Sequence, residues 1–263
     1  MTTHVDVDAY WKDLGPRLRA HIDRNRNGVV ENALMHGLAL FSFVQDTMPT
    51  AASRNRKILE QTGIMVVLVH DVLRGLWAAQ TELSPVAVAA LFRTAMETRC
   101  NFLFISRSAT PDRYASLYAR YFDVERVLHE IHRPLGGLSM LSPAEDARIR
   151  RDCPEWFQPN GKVIDHWTAD RDLKSLKKLA GKVGLENEYH LFYGLGSKYI
   201  HGSSLLTNLY SRQGQLGAIA NPAHCSQMSL LAVKTCIDFL REVANFFGLP
   251  SFEDDLLRSE ERL

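Results

Sequence analysis

The residues best suited to chemistry lie in one stretch, Asn187 to Asn208, NEYHLFYGLGSKYIHGSSLLTN. Tyr193, Ser197 and His201 follow one another at i, i+4 and i+8, so on a helix their side chains can touch in turn. At about 100° per residue, these three fall with Ser204 and Asn208 inside a stripe roughly 80° wide. His201 can act as acid or base near neutral pH. Ser197 can serve as a nucleophile or a substrate contact, Tyr193 as a proton donor, and Asn208 as a substrate contact at the end of the row. An ordinary solvent stripe carries Lys, Glu or Arg. This one carries no charge, which suits the wall of a wet interior cleft. Gly194, Gly196 and Gly202 interrupt the helix at about 1 kcal/mol each relative to Ala. Close approach of a backbone or a ligand is a physical reason to tolerate them. The plainer reading of the row is a satisfied, buried hydrogen-bond ladder. A Ser-His pair on one helix also lacks the sharp nucleophile turn of hydrolases.

Two other constellations could complete such a site. Arg93 and Glu97 share one face of an otherwise apolar helix. Glu four residues after Arg is the poorer order for a surface pair, so both charges are expected to reach partners on another helix. Arg93 can clamp an anion and Glu97 can orient His201; alternatively, the two form a buried charge pair that keeps helices in register. Arg171, Lys174, Lys178 and Lys182 are expected along one side of a short helix, opposite Leu173, Leu176, Leu179 and Val183. That row is either a phosphate-tracking stripe or a solvated face. Trp167, just upstream, is a candidate substrate contact or the anchor of a turn-rich loop. For metals, His36, His70, Asp71, Glu125, His129, His132 and the pair His224-Cys225 are scattered. There is no Glu-x-x-His, His-Glu-x-x-His, Gly-x-Gly-x-x-Gly or phosphate-loop motif, so no metal and no cofactor is expected.

Apolar spacing is helical nearly throughout, and no stretch alternates with period two. Helices are predicted over Tyr10 to Ile22, Val29 to Asp46, Arg54 to Thr81, Val86 to Ser106 and Thr110 to about His132. A turn is predicted at Met48-Pro49-Thr50. Ser84 and Pro85 are a start signal for the Val86 helix. Ser142-Pro143 opens a short helix, and Arg171 to Val183 forms another, closed by Gly184. The 187–208 helix follows. Ser211 to Pro222 reads as a Gly/Gln loop over one end of the bundle, and Ala223 to Phe247 as the last helix. Without repeats or a separating linker, residues 1–263 are expected to form one all-α domain, a bundle of about seven to nine helices with a charged tail at 249–263.

Composition narrows the function classes. The 263 residues are 46% hydrophobic and 23% charged, as in soluble globular proteins. With 31 basic against 30 acidic residues the net charge is +1. Bulk attraction to nucleic acid or to a membrane is therefore absent, and any basic surface must be local. Cys100, Cys153, Cys225 and Cys236 have neither zinc-knuckle nor redox spacing, which favours a reduced, cytoplasmic setting. The N-terminus has early acids and no apolar core, unlike a signal peptide. The run Ile64 to Val69 is too short to span a membrane, so no membrane partner is expected.

Three pieces carry a resemblance: LFRTAMETRCNFLF, HWTADRDLKSLKKLA and YGLGSKYIHGS. An Arg-x-x-x-Glu helix, a Trp before a short basic helix, and Tyr-x-x-x-Ser-x-x-x-His-Gly occur together in a bacterial family catalogued only as a domain of unknown function. The chain resembles that family over roughly Leu83 to Asn208. The resemblance implies an all-helical fold with a shared site. More distantly, the chain is similar to the HEPN helical bundles, which include RNA-cleaving toxins and phage-defence effectors. Their Arg, four to six residues, then His is matched in spacing by Arg126 and His132, although Val127 stands where a polar residue is usual. Two functions follow as expectations. One is a metal-independent enzyme acting on RNA or a small anion, using Arg93, Glu97, Tyr193, Ser197 and His201. The other is a binding protein in which the same groups form a structural network. A homodimer is compatible with either.

Overall fold

The computed structural model describes residues 28–51, 56–81, 84–132, 139, 141–173, 175–190, 211–212, 215–216 and 222–250. Among them are eight α-helices: α1 Gly28–Ala51, α2 Arg56–Thr81, α3 Pro85–Ser106, α4 Pro111–Ile131, α5 Pro143–Asp152, α6 Leu176–Val183, the three-residue α7 Glu186–Glu188, and α8 Pro222–Phe247. Single 3₁₀ turns occupy Pro154–Trp156 and Arg171–Leu173. The fold is an all-α multi-helix bundle. One small exception is an antiparallel pair, β1 Ser211–Arg212 with β2 Gln215–Leu216, in the stretch expected to be loop. Two residues per strand are too few to leave a period-two pattern. The predicted helix Tyr10 to Ile22 lies outside the described residues.

The described parts fall into two compact units. One lies within Met1–Phe41, Val69–Met96 and Phe192–Asp238; the other lies within Ser42–Leu68, Glu97–Leu191 and Phe239–Leu263. The first unit has a core of aliphatic residues, among them Val30, Leu34, Leu73, Leu76, Val88 and Val233, each fully buried. Two glycines let helices approach here. A Cβ on Gly37 would come within 3.1 Å of Leu73 and 3.6 Å of Ile237, and one on Gly75 within 3.0 Å of Leu91. His70 stacks on Phe41, with ring centroids 4.2 Å apart.

The second unit is built around aromatic side chains. Phe102 meets Phe239 and Phe246 edge-on, at 5.4 and 5.9 Å. A separate core gathers Leu117, Val124, Val127, Ile149 and Ile164 around Trp156, whose indole N–H donates to the His166 carbonyl at 3.0 Å. The start of α5 is fixed by a capping box. The Glu145 N–H donates to the Ser142 hydroxyl, and the Ser142 N–H donates to the Glu145 carboxylate. Arg126 reaches that carboxylate from α4, at 3.1 Å.

Two local expectations need correction. The turn at Met48-Pro49-Thr50 does not form, since α1 continues to Ala51. Met48 is buried, so ending the helix earlier would expose its side chain. Pro49 sits in the last turn, so the break it makes in the hydrogen-bond ladder falls where the helix ends. The helix expected over Arg171 to Val183 is broken. Asp170 accepts from the Asp172 N–H and starts the 3₁₀ turn Arg171–Leu173, while Ser175 accepts from the Lys178 N–H and starts α6 afresh. Among the described residues one stretch, Lys57–Ala79, is long and apolar enough to cross a membrane, a longer run than the Ile64 to Val69 segment. In this fold one side of it, including Ile58, Met65, Val69, Val72 and Leu76, is core.

Two tests follow. Arg99 and Glu242 form a largely buried pair, with a shortest contact of 2.7 Å. Glu242→Leu should lower unfolding stability by about 3–5 kcal/mol, because it strands a buried guanidinium. Adding Arg99→Met should restore most of that loss, as read by denaturant unfolding followed by circular dichroism. Glu145 is held down from its usual 4.5 to about 2 by the Ser142 backbone and hydroxyl and by Arg126. A depressed carboxylate stabilises the fold above its unfolded value, and that contribution is lost as pH falls from 4.5 toward 2. Glu145→Gln should therefore flatten the fall of melting temperature across that window.

Candidate functional site

Helix α3 carries the Arg-x-x-x-Glu pair. Its Pro85 start and nearly all-round burial hold it rigidly. Arg93 and Glu97 are partly buried on one flank of it, and neither is without a partner. Cys100 continues that flank and is fully buried. Burial pushes its thiol up to about 12; Arg99 acts against this, while Glu242, Glu97 and Glu188 add to it. Glu188 belongs to α7, the beginning of the stretch that carries the polar row.

One turn further on, Asn101 accepts from the Trp167 indole N–H at 2.9 Å. Phe104, Tyr114 and Tyr118 meet the Trp167 ring edge-on, at 5.6, 6.5 and 5.2 Å. Trp167 is therefore enclosed, at 5% exposure, and anchors the 154–175 segment on α3 as the sequence suggested. Burial raises the Tyr118 hydroxyl, and burial lowers His166, whose Nδ1 lies 2.9 Å from the Thr168 hydroxyl. The C-terminal end of α3 and the Trp segment are packed together through Asn101 and Phe104.

Residues 81–215 match DUF5677, a family of unknown function. The chain belongs to that family. The match contains all three pieces that carried the resemblance, and it runs from just ahead of α3 to the first residue of β2. Of the three pieces, the first two meet directly through Asn101 and Trp167, and the third, Tyr193 to Ser203, lies outside the described residues. No curated protein and no solved structure matches the chain.

The remaining candidates divide as follows. Tyr193, Ser197, His201, Ser204, Asn208 and Lys174 lie outside the described residues. Arg171 falls in the 3₁₀ turn before Ser175, so it does not share a helix with Lys178 and Lys182. Of the expected basic row, Lys178 and Lys182 are exposed on α6, opposite buried Leu179 and Val183. Gly184 closes α6 in the left-handed region, at φ 80°. Arg126 on α4 is engaged by Glu145 and Asp123, and His132 caps the other end of the helix. Among the described residues no three His, Cys, Asp or Glu side chains gather as a metal site.

Sequence reading passed over Arg99 and Asn101. Arg99 stands seven residues after Phe92 and three before Phe102, in the middle of the apolar stripe of α3. A charge at such a position signals a buried partner, here Glu242, whose carboxylate takes both the Nε–H and an Nη2–H of Arg99.

All four cysteines are free thiols and buried. Burial raises Cys225 to about 11 and drives Cys236 strongly upward. The thiolate is the reactive form, so the folded protein should stay silent toward Ellman's reagent at about pH 8. Unfolding in denaturant should release all four thiols. Rapid native labelling would show one of them open to solvent and ionised.

Proposed function

We propose that this DUF5677 protein acts on an anionic substrate, RNA above all, by metal-independent phosphodiester cleavage. In this reading Arg93 holds substrate charge and His201 moves protons. Tyr193 and Ser197 contact the substrate or the proton path, and Glu97 sets the orientation of the histidine. What supports the reading is that Arg93 and Glu97 are partly buried charges on one flank of an otherwise apolar helix inside the family match. Exposed Lys178 and Lys182 supply local positive charge despite a net charge of only +1, which suits steering of a phosphate backbone.

The likeness to HEPN bundles fits the same chemistry and suggests a toxin or phage-defence effector of the cytoplasm, working as a homodimer. The histidine we assign is His201, because Arg126 is already engaged by two carboxylates.

A second reading has its own support. The buried charges described so far are matched within the protein, as Arg99 is by Glu242 and Arg126 is by Glu145. A polar row matched in the same way would be a structural network in a protein that binds a partner or a small ligand.

His201→Gln separates the two. It keeps polarity and approximate size but removes a group that titrates near neutral pH. The variant should fold as the wild type does and lose about 10²–10⁴-fold in RNA degradation or in growth inhibition on expression. Full activity in a well-folded His201→Gln protein favours the binding reading.

A further inference from the structure

A cleft of about 340 Å³ opens in the second unit where α3 ends and α4 begins, with α6 as its third wall. Its floor is apolar, made by Leu103, Phe104 and Val183. Its mouth carries two cations, Arg107 and Lys182, and no carboxylate lines it. Arg107 is held in place by an Nη1–H bond to the Val183 carbonyl at 2.7 Å. Neither Arg107 nor Lys182 has a carboxylate partner among the described residues. By contrast, Arg120, Arg126 and Arg150 each have a carboxylate within 3.1 Å. Two unneutralised cations at one mouth repel each other, and a bound anion removes that cost.

Three further features point the same way. Thr110 stands at the N-cap of the 21-residue α4, yet its hydroxyl makes no capping bond. The partly positive end of that helix therefore borders the cleft together with a hydroxyl available to an acceptor. The acid of the first turn, Asp112, is occupied elsewhere, accepting from the Ile58 N–H at 3.1 Å. The Tyr114 hydroxyl lies in the lining and has no protein hydrogen bond among the described residues.

We infer that this cleft binds a small phosphomonoester, with the phosphate between Arg107 and Lys182 and a compact apolar body on Leu103, Phe104 and Val183. A guanidinium fork matches phosphate oxygens, and a second cation matches a dianion better than a single carboxylate. The volume is at the small end for ligand pockets, about 300–1,000 Å³, which selects a small molecule over a polymer. The inference does not depend on the proposed His201 chemistry.

Titration calorimetry with the full chain tests it, using phenyl phosphate, phenol and inorganic phosphate as probes. Phenyl phosphate should bind at least about 10-fold more tightly than either of the others. Lys182→Gln and Arg107→Gln should each weaken it by about 10-fold. Lys182 is exposed and has no side-chain hydrogen bond or ion pair among the described residues, so Lys182→Gln should melt with the wild type and keep the test clean. Phenol binding as tightly as phenyl phosphate overturns the inference, because the cleft would then be merely apolar. So does unchanged phenyl phosphate binding in folded Lys182→Gln, or no binding by wild type at about 1 mM.

Discussion

The contact on which the second unit depends is the docking of Trp167 against α3. An irregular segment of some twenty residues has few backbone bonds of its own and needs an outside anchor. The indole supplies one through its N–H to Asn101 and through three aromatic edges, Phe104, Tyr114 and Tyr118. Both ends of the segment take their place from that point. On one side Trp156 closes the small core of α4 and α5, and on the other Ser175 starts α6. With α6 set, Arg107 can reach the Val183 carbonyl, and the cationic cleft acquires its third wall.

Helix α3 serves three purposes with three rows of side chains. Its central row is core, broken by Arg99, which is tied to Glu242. Its flank bears Arg93, Glu97 and Cys100. Its last turn bears Asn101, Phe104 and then Arg107, facing the Trp segment and the cleft. A helix buried on most of its circumference cannot shift to accommodate a substitution, since packed interiors yield little. The DUF5677 match begins just ahead of this helix. The match takes in α3 and the Trp segment docked on it, while Glu242, the partner of Arg99, lies outside the match.

Charge is handled differently in different places. Arg99, Arg120, Arg126 and Arg150 are paired with carboxylates and serve the fold. Arg107 is tied to a carbonyl, which fixes its position without neutralising it. A net charge of +1 conceals this distinction, because it sums paired and unpaired ions alike.

The sequence by itself determined the all-α class, most helix starts and the family. These are local matters: the 3.6-residue apolar period, Ser84-Pro85, Ser142-Pro143 with Glu145, and Gly184 after α6 each act within a turn or two. It also marked Trp167 as an anchor, because a Trp amid turn residues has no local apolar stripe to join. Only the tertiary structure decided which charges are spent on the fold. Arg99 needs Glu242, 143 residues away, and Trp167 needs Asn101, 66 residues away; no periodicity encodes such pairs. The break at Ser175 was local and still missed, because leucines at helical spacing run across it while Asp170 and Ser175 offer competing caps. The cleft at Arg107 was invisible for a different reason. It consists of what three elements leave open between them, and spacing along one chain segment describes only what that segment fills.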